Sequence, residues 1–319
     1  MILSYAAGAH GAAATIFFAV YMVLLQKFNV KLTWQFWIQT FAYLGALSVY
    51  TFRSLILNHD LFFIRNLIED YTFTNAPFFI IGAVSSVILI VILHNLIFTF
   101  GAAKVAGLSE LFVIATTASF AVMGHFPSWA SLFSLMIIAV GAIIFSLEEI
   151  NLRSLLAIPR GLMIGIGIGF AVKFVEGLVT FLGTKSTPIS HTVLFGLKHV
   201  FPFSVMNPFY FTLGTKFFMI VTLFAYIKLY KHRTIPLTDC LKKHTKQLII
   251  ISSVYFMALY TFNEAFALAN HLDVLMAILK LKLPMVILAS MLILKKRPST
   301  PHIVGTIIVG LGCSIIIFV

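Results

Sequence analysis

The sequence predicts an all-α integral membrane fold of ten transmembrane helices, arranged as two inverted five-helix repeats. Three observations predict it. The 319-residue chain is 61% hydrophobic and 10% charged, with mean hydropathy +1.04, whereas a soluble domain carries about 25% charged residues. Its apolar residues come in runs of ~20, the length that carries a helix across a bilayer with every backbone group paired inside its own segment. The pattern of the first half then returns in the second at a constant offset.

Taken in order, the first span covers residues 2–26 and the second 34–51, followed by a polar loop, 53–74, that holds Asp60, Arg65, Glu69 and Asp70. The third is 77–100. After a corner at 101–106 the fourth is 107–123, and His125-Phe126-Pro127-Ser128 turns into the fifth, 129–147. Residues 148–160 form a polar seam, which divides the chain into a first repeat, 1–147, and a second, 161–319. The sixth span is 161–182. Residues 183–207, with Pro188, His191, Lys198, His199 and Pro202, are too polar for a span and read as a surface or re-entrant helix. The seventh span is 209–227 and 228–246 is a basic loop. The eighth ends at 268, Asn270-His271 forms a tight corner, and the ninth runs over 272–294. The basic turn 295–301 leads into the tenth.

An offset of 164 matches Phe98 to Phe262, Ala103 to Ala267 and Leu108 to Leu272. Each half continues with a Pro-Ser turn (Pro127-Ser128; Pro298-Ser299) and a glycine-containing helix (Gly141; Gly305, Gly310, Gly312). Five spans is an odd number, so the second half must sit inverted, an architecture of secondary transporters with a site near the midplane. On these residues the chain resembles the drug/metabolite transporter superfamily, in its ten-helix EamA-like branch. The resemblance is sharpest from Tyr260 to Gly312, with Pro284 inside the ninth span, the basic turn, Ile303-Val304-Gly305 and Gly310-Leu311-Gly312. It implies transport of a small solute by alternating access.

The formal net charge of +12 does not point to nucleic acid, because the cations sit in short loops between apolar runs. Fourteen fall in odd-numbered connections and four in even-numbered ones. The positive-inside pattern then places both termini outside, whereas the resemblance implies both inside. Cys240 and Cys313 are the only cysteines, which argues against a disulfide framework or a Cys-based metal site. No HExxH, GxSxG or acidic metal cluster occurs, so neither an enzyme nor a cofactor is expected. Met1-Ile2-Leu3-Ser4 has no basic region ahead of its apolar run, so no signal peptide is read there. Lysine outnumbers arginine 16 to 6, as in AT-rich genomes, and the expected location is a bacterial inner membrane. The expected partners are a small-molecule substrate, the lipid bilayer, and a coupling proton or counter-substrate, in a monomer or weak dimer.

Ionisable residues inside a span are costly and read as functional by default. Lys173 and Glu176 lie one turn apart in the sixth span and can share a face; they either line a pathway or form a structural ion pair. Lys280 and Lys282 are two residues apart, about 200° around a regular helix. Lys280 is therefore expected to face a cavity, and Lys282 a neighbouring helix. Asn263, Glu264 and Glu110 lie near helix ends, and either glutamate can serve as a proton site or a lysine partner. Glu110 can equally be a charge favoured by a helix dipole. His94 and Asn95 are substrate candidates or interhelical hydrogen-bonding groups. His10, Tyr21 and Tyr260 rank lower. Gly161, Gly165 and Gly169 read as a helix-packing face rather than a nucleotide loop, since no strand precedes them.

The cationic excess near the midplane favours an anionic or zwitterionic substrate: amino-acid-like, S-adenosylmethionine-like or nucleotide-type. The alternative is a flippase for a lipid-linked carrier. The expected counter-charge for Lys280 is Glu176 or Glu264, displaced when the substrate's anionic group binds.

Overall fold

The computed structural model describes residues 5–58, 76–124, 126–147, 149–151, 153, 158–184, 208–230, 237–268, 275 and 278–318. Among them there is no strand. Eleven helices follow in order: α1 (Tyr5–Lys27), α2 (Leu32–Asn58), α3 (Ala76–Phe100), α4 (Ala102–Ser109), α5 (Phe112–Val122), α6 (Trp129–Ser146), α7 (Arg160–Thr184), α8 (Pro208–Tyr230), α9 (Leu237–Leu268), α10 (Lys282–Leu294) and α11 (Thr300–Phe318). Among the described residues seven segments are long and apolar enough to cross a membrane, and the chain is a multi-pass membrane protein.

Local chemistry sets several ends. Gly101 starts α4 at φ 90°, a conformation that costs other residues a steric penalty. The Ser128 hydroxyl caps α6 by accepting from the Ser131 N–H at 3.1 Å. Lys295 closes α10 in the left-handed region.

Three expectations need correction. The fourth span is not one helix over 107–123. It starts at Ala102 and is interrupted between Ser109 and Phe112. The basic loop 228–246 is helical from Leu237 onward, with a non-helical residue at His244. Trp34 packs tilted against that histidine at 4.3 Å between centroids, so packing on α2 holds a polar turn that hydropathy reads as loop. The second helix runs on to Asn58. Residues 59–75 and 185–207, the expected Asn270-His271 corner, and residues 148, 152 and 154–157 of the seam lie outside the described residues.

Side-chain contacts give the helix directions. α2 is antiparallel to α8, with Phe36 against Phe224 and Tyr43 against Phe217. It is parallel to α9, with Trp34 by His244 and Tyr50 by Tyr260. α7 runs against α3, with Gly161 by Phe100 and Gly165 by Leu96. α1 is parallel to α10, with Thr15 by Ile278 and, further along both, Ala19 and Val23 in a core with Val286 and Ala289. It runs against α9, with Phe18 by Phe262 and Tyr21 by Tyr255, and α3 is parallel to α8, with Phe79 by Phe211 and Gly82 by Thr215. These directions bring the connections after α1, α3, α8 and α10 to one end, and with them Lys27, Lys31, Lys104, Lys228, Lys295 and Arg297.

The main packing pairs cross between halves. α1 lies on α9 and α10, and α7 lies on α3 and α5. α8 lies on α2 and α3, α9 lies on α2, and α6 lies on α11. The first helix of each half is thus embedded in the other half. The glycine face of α7 packs closely, as its spacing predicts: a Cβ at Gly169 would meet the Phe112 ring at 2.5 Å.

The tightest backbone approach is between α6 and α11. A Cβ on Gly305 would sit 2.5 Å from the Phe145 nitrogen and 2.6 Å from the Gly141 carbonyl oxygen. Backbone cannot yield as a side chain can. Gly305→Leu is therefore expected to force α6 and α11 apart and destabilise by about 1–3 kcal/mol, the usual cost of overpacking. Gly310→Leu, with open space around its Cβ position, should change little. Thermal unfolding of the two purified variants checks the contrast.

Candidate functional site

Glu110 sits where α4 stops and α5 has not begun, and its side chain is fully buried. The interruption keeps its backbone paired through short i→i−3 bonds: Glu110 N–H to Gly107 O at 3.0 Å, Leu111 N–H to Leu108 O at 3.1 Å, Val113 N–H to Glu110 O at 3.1 Å. This tightened turn satisfies groups that a lipid environment cannot, and it points the carboxylate into the protein.

A second interruption faces it. Residues 278–280 are helical, Leu281 turns at φ −63°, ψ 0°, and α10 begins at Lys282. The Ile278 carbonyl accepts both the Leu281 N–H at 3.1 Å and the Thr15 hydroxyl of α1 at 3.1 Å.

The two interruptions meet at one carboxylate. Lys280 Nζ lies 3.2 Å from Glu110 Oε2, and Lys282 Nζ lies 2.6 Å from Oε1. No neutral donor reaches either oxygen, so the two ammonium groups are its only polar partners among the described residues. This corrects two expectations. Lys280 and Lys282 do not point to opposite sides, because the 200° separation holds only for a regular helix and Leu281 breaks it. The counter-charge of Lys280 is Glu110, not Glu176 or Glu264.

The other candidates divide into those near this cluster and those apart from it. Lys173 and Glu176 pair with each other at 2.6 Å on α7, with side-chain exposures of 32% and 23%. Glu176 also accepts from the Ser86 hydroxyl of α3 at 3.2 Å. α7 also packs on α4, and Leu283 of α10 shares a core with Cys313 of α11, so the cluster lies between α7 and α11. Asn263 is engaged elsewhere, accepting from the Thr212 hydroxyl of α8 at 3.1 Å. Tyr260 stands by Tyr50 at 5.8 Å, His94 packs on Phe98 at 4.6 Å, Asn95 is exposed, and Glu264 is buried on α9.

An open cleft leads toward the cluster from the end that carries the basic turns. Gln26, Ser290, Lys296, Arg297 and His302 supply its polar groups, and Met22, Phe145, Val286 and Ile287 its apolar walls. Its lining includes Ala106, one helical turn before Glu110, and Val286, one turn after Lys282. Buried Leu283, Phe145 and Ala106 belong to the apolar core at that level.

One charged residue goes unnoticed when the sequence is read for clusters. Lys216 of α8 lies within the apolar stretch 211–229, and its ammonium donates to Tyr255 OH at 2.6 Å and Gln39 Oε1 at 3.2 Å. The signal was present: a lysine inside a spanning run is a functional candidate by itself. It has no charged neighbour at helical spacing to draw attention to it. Among the described residues, no group of His, Cys, Asp and Glu could hold a metal ion.

Removing Glu110 alone strands two buried cations, and breaking a buried pair from one side costs about 3–5 kcal/mol. Glu110→Ala should show that loss in thermal unfolding in detergent. Glu110→Leu combined with Lys280→Met and Lys282→Met should recover most of it, since apolar replacement of a whole buried ion cluster is often neutral or stabilising. A triple variant no more stable than Glu110→Ala means that these charges do not compensate one another.

No protein-family model matches the chain, and no curated protein matches it significantly.

Proposed function

We propose that the protein is a secondary transporter for a small anionic or zwitterionic metabolite, working by alternating access around the Glu110–Lys280–Lys282 cluster. The observation that carries the reading is this fully buried carboxylate shared by two lysines, at the meeting of two interrupted helices. Two lysines and one glutamate leave a net charge of +1 inside the membrane. A carboxylate or phosphate on the substrate can take one ammonium group while Glu110 keeps the other. No charge is left bare at any stage, so the desolvation cost of binding stays low. Because the lysines flank a helix interruption, a change of partner also changes how α10 sits on α1. Lys282, at 22% side-chain exposure against 10% for Lys280, is the more accessible ammonium and lies one turn before Val286 of the cleft wall.

The proposal includes ten spans in two inverted repeats, and the pattern of helix packing supports it. α4 with α5 counts as one span, as does the 278–280 segment with α10. Exchanging the halves then carries each main packing pair onto another: α1 on α9 becomes α7 on α3, α1 on α10 becomes α7 on α5, and α6 on α11 returns to itself. The drug/metabolite transporter resemblance points the same way. Gathered cations at one end make that end the cytoplasmic side under the positive-inside rule, and a bacterial inner membrane remains the proposed location.

The test is transport per correctly inserted molecule in proteoliposomes, screened with amino acids, S-adenosylmethionine and nucleotides. Lys280→Ala and Lys282→Ala should each lower it roughly tenfold or more, the effect of about 1.4 kcal/mol at the binding step. Normal transport by both variants overturns the proposal. Activity only on a lipid-linked substrate turns it into a flippase.

A further inference from the structure

We propose that Lys216 is the centre of a second anion site, sharing no residue with the Glu110 cluster, that binds a ligand oxyanion (a carboxylate or a phosphate) between α2, α8 and α9. The other three lysines in the interior each have a carboxylate within ion-pair distance: Glu176 for Lys173, and Glu110 for Lys280 and Lys282. Lys216 has none among the described residues. Its partners are the Gln39 carbonyl oxygen, the Tyr255 hydroxyl, the Met219 sulfur at 3.8 Å and the face of the Tyr255 ring at 5.1 Å. Those neutral groups hold the ammonium in place and leave its charge uncompensated.

The surrounding network has spent its acceptors and kept its donors. Gln39 Oε1 accepts from Lys216, and the Tyr255 oxygen does too. Gln35 Oε1 accepts from the Tyr21 hydroxyl at 3.0 Å, and the Tyr21 ring lies tilted against that of Tyr255, 4.7 Å between centroids. What remains unengaged among the described residues is the Tyr255 hydroxyl proton and the side-chain N–H groups of Gln39 and Gln35. Four helices thus bring a cation and neutral hydrogen-bond donors together with no anion to receive them. Gln35 and Gln39 are 4% and 1% exposed, which makes a chance arrangement of surface polar groups a poor account of the network. An oxyanion supplies both the missing charge and the missing acceptors.

The experiment uses the full chain in neutral detergent and reads thermal unfolding against inorganic phosphate or acetate, with chloride at matched ionic strength. Parallel samples carry phosphatidylglycerol or phosphatidylcholine. The background is the variant Glu110→Leu, Lys280→Met, Lys282→Met, which lacks the first cluster. The unfolding midpoint should rise with phosphate or acetate in that background and with Lys216→Arg added, and the rise should vanish with Lys216→Gln added. A rise produced by phosphatidylglycerol alone, and abolished by Lys216→Gln, assigns the oxyanion to a lipid headgroup. A rise that survives Lys216→Gln, or that no probe produces in the triple variant, overturns the proposal. In the latter case a rise confined to the wild-type chain leaves the first cluster as its source. If Lys216→Gln does not accumulate, Tyr255→Phe and Gln39→Leu serve instead; each should weaken the phosphate dependence several-fold, and an unchanged dependence in both overturns the proposal.

Discussion

The interior is organised around a carboxylate that cannot be left alone. Glu110 is fully buried and its only polar partners among the described residues are two lysines. In a low-dielectric interior a charge without a partner costs several kcal/mol, and the partner must arrive with good geometry. Straight helices do not provide it here, because Lys280 and Lys282 would diverge. Both helices are interrupted at this level, and each interruption is closed by i→i−3 hydrogen bonds. Electrostatics and backbone satisfaction thus impose a single solution together.

That solution needs helices from both halves to be in place at once. Thr15 of α1 holds the Ile278 carbonyl at the second interruption, and α7 packs on α4, the helix that ends at Glu110. Since α1 is embedded in the second half and α7 in the first, neither half assembles the cluster by itself. The close α6–α11 contact, backbone to backbone across Gly141 and Gly305, pins the last helix of each half to the other.

Two polar systems share the interior without sharing residues. One is charge-rich and centred on Glu110. The other ties α1, α2, α8 and α9 together through Tyr21, Gln35, Gln39, Lys216 and Tyr255. Both carry one unit of positive charge among their described members. An interior with that bias attracts anions and repels cations over distances that solvent does not screen.

Much of this was legible in the sequence. Composition and the lengths of apolar runs depend on residues counted along the chain, so the membrane class, the helical fold and most helix boundaries follow from them. The α7 glycine face and the Lys173–Glu176 pair depend only on helical spacing, and they appear as expected. Lys280, Lys282 and Glu110 stand out as costly charges for the same reason. Their pairing does not follow. Glu110 and Lys280 are 170 residues apart in sequence, and whether they touch depends on how α1, α4 and α10 pack. The convergence of Lys280 and Lys282 needed the turn at Leu281, which no local motif announces. At 237–246 the contact that counts is Trp34 against His244, and Lys216 drew notice only when Gln39 and Tyr255 came to it from other helices. Hydropathy and periodicity are sums over neighbours in sequence; ion pairing and helix interruption are decided by neighbours in space.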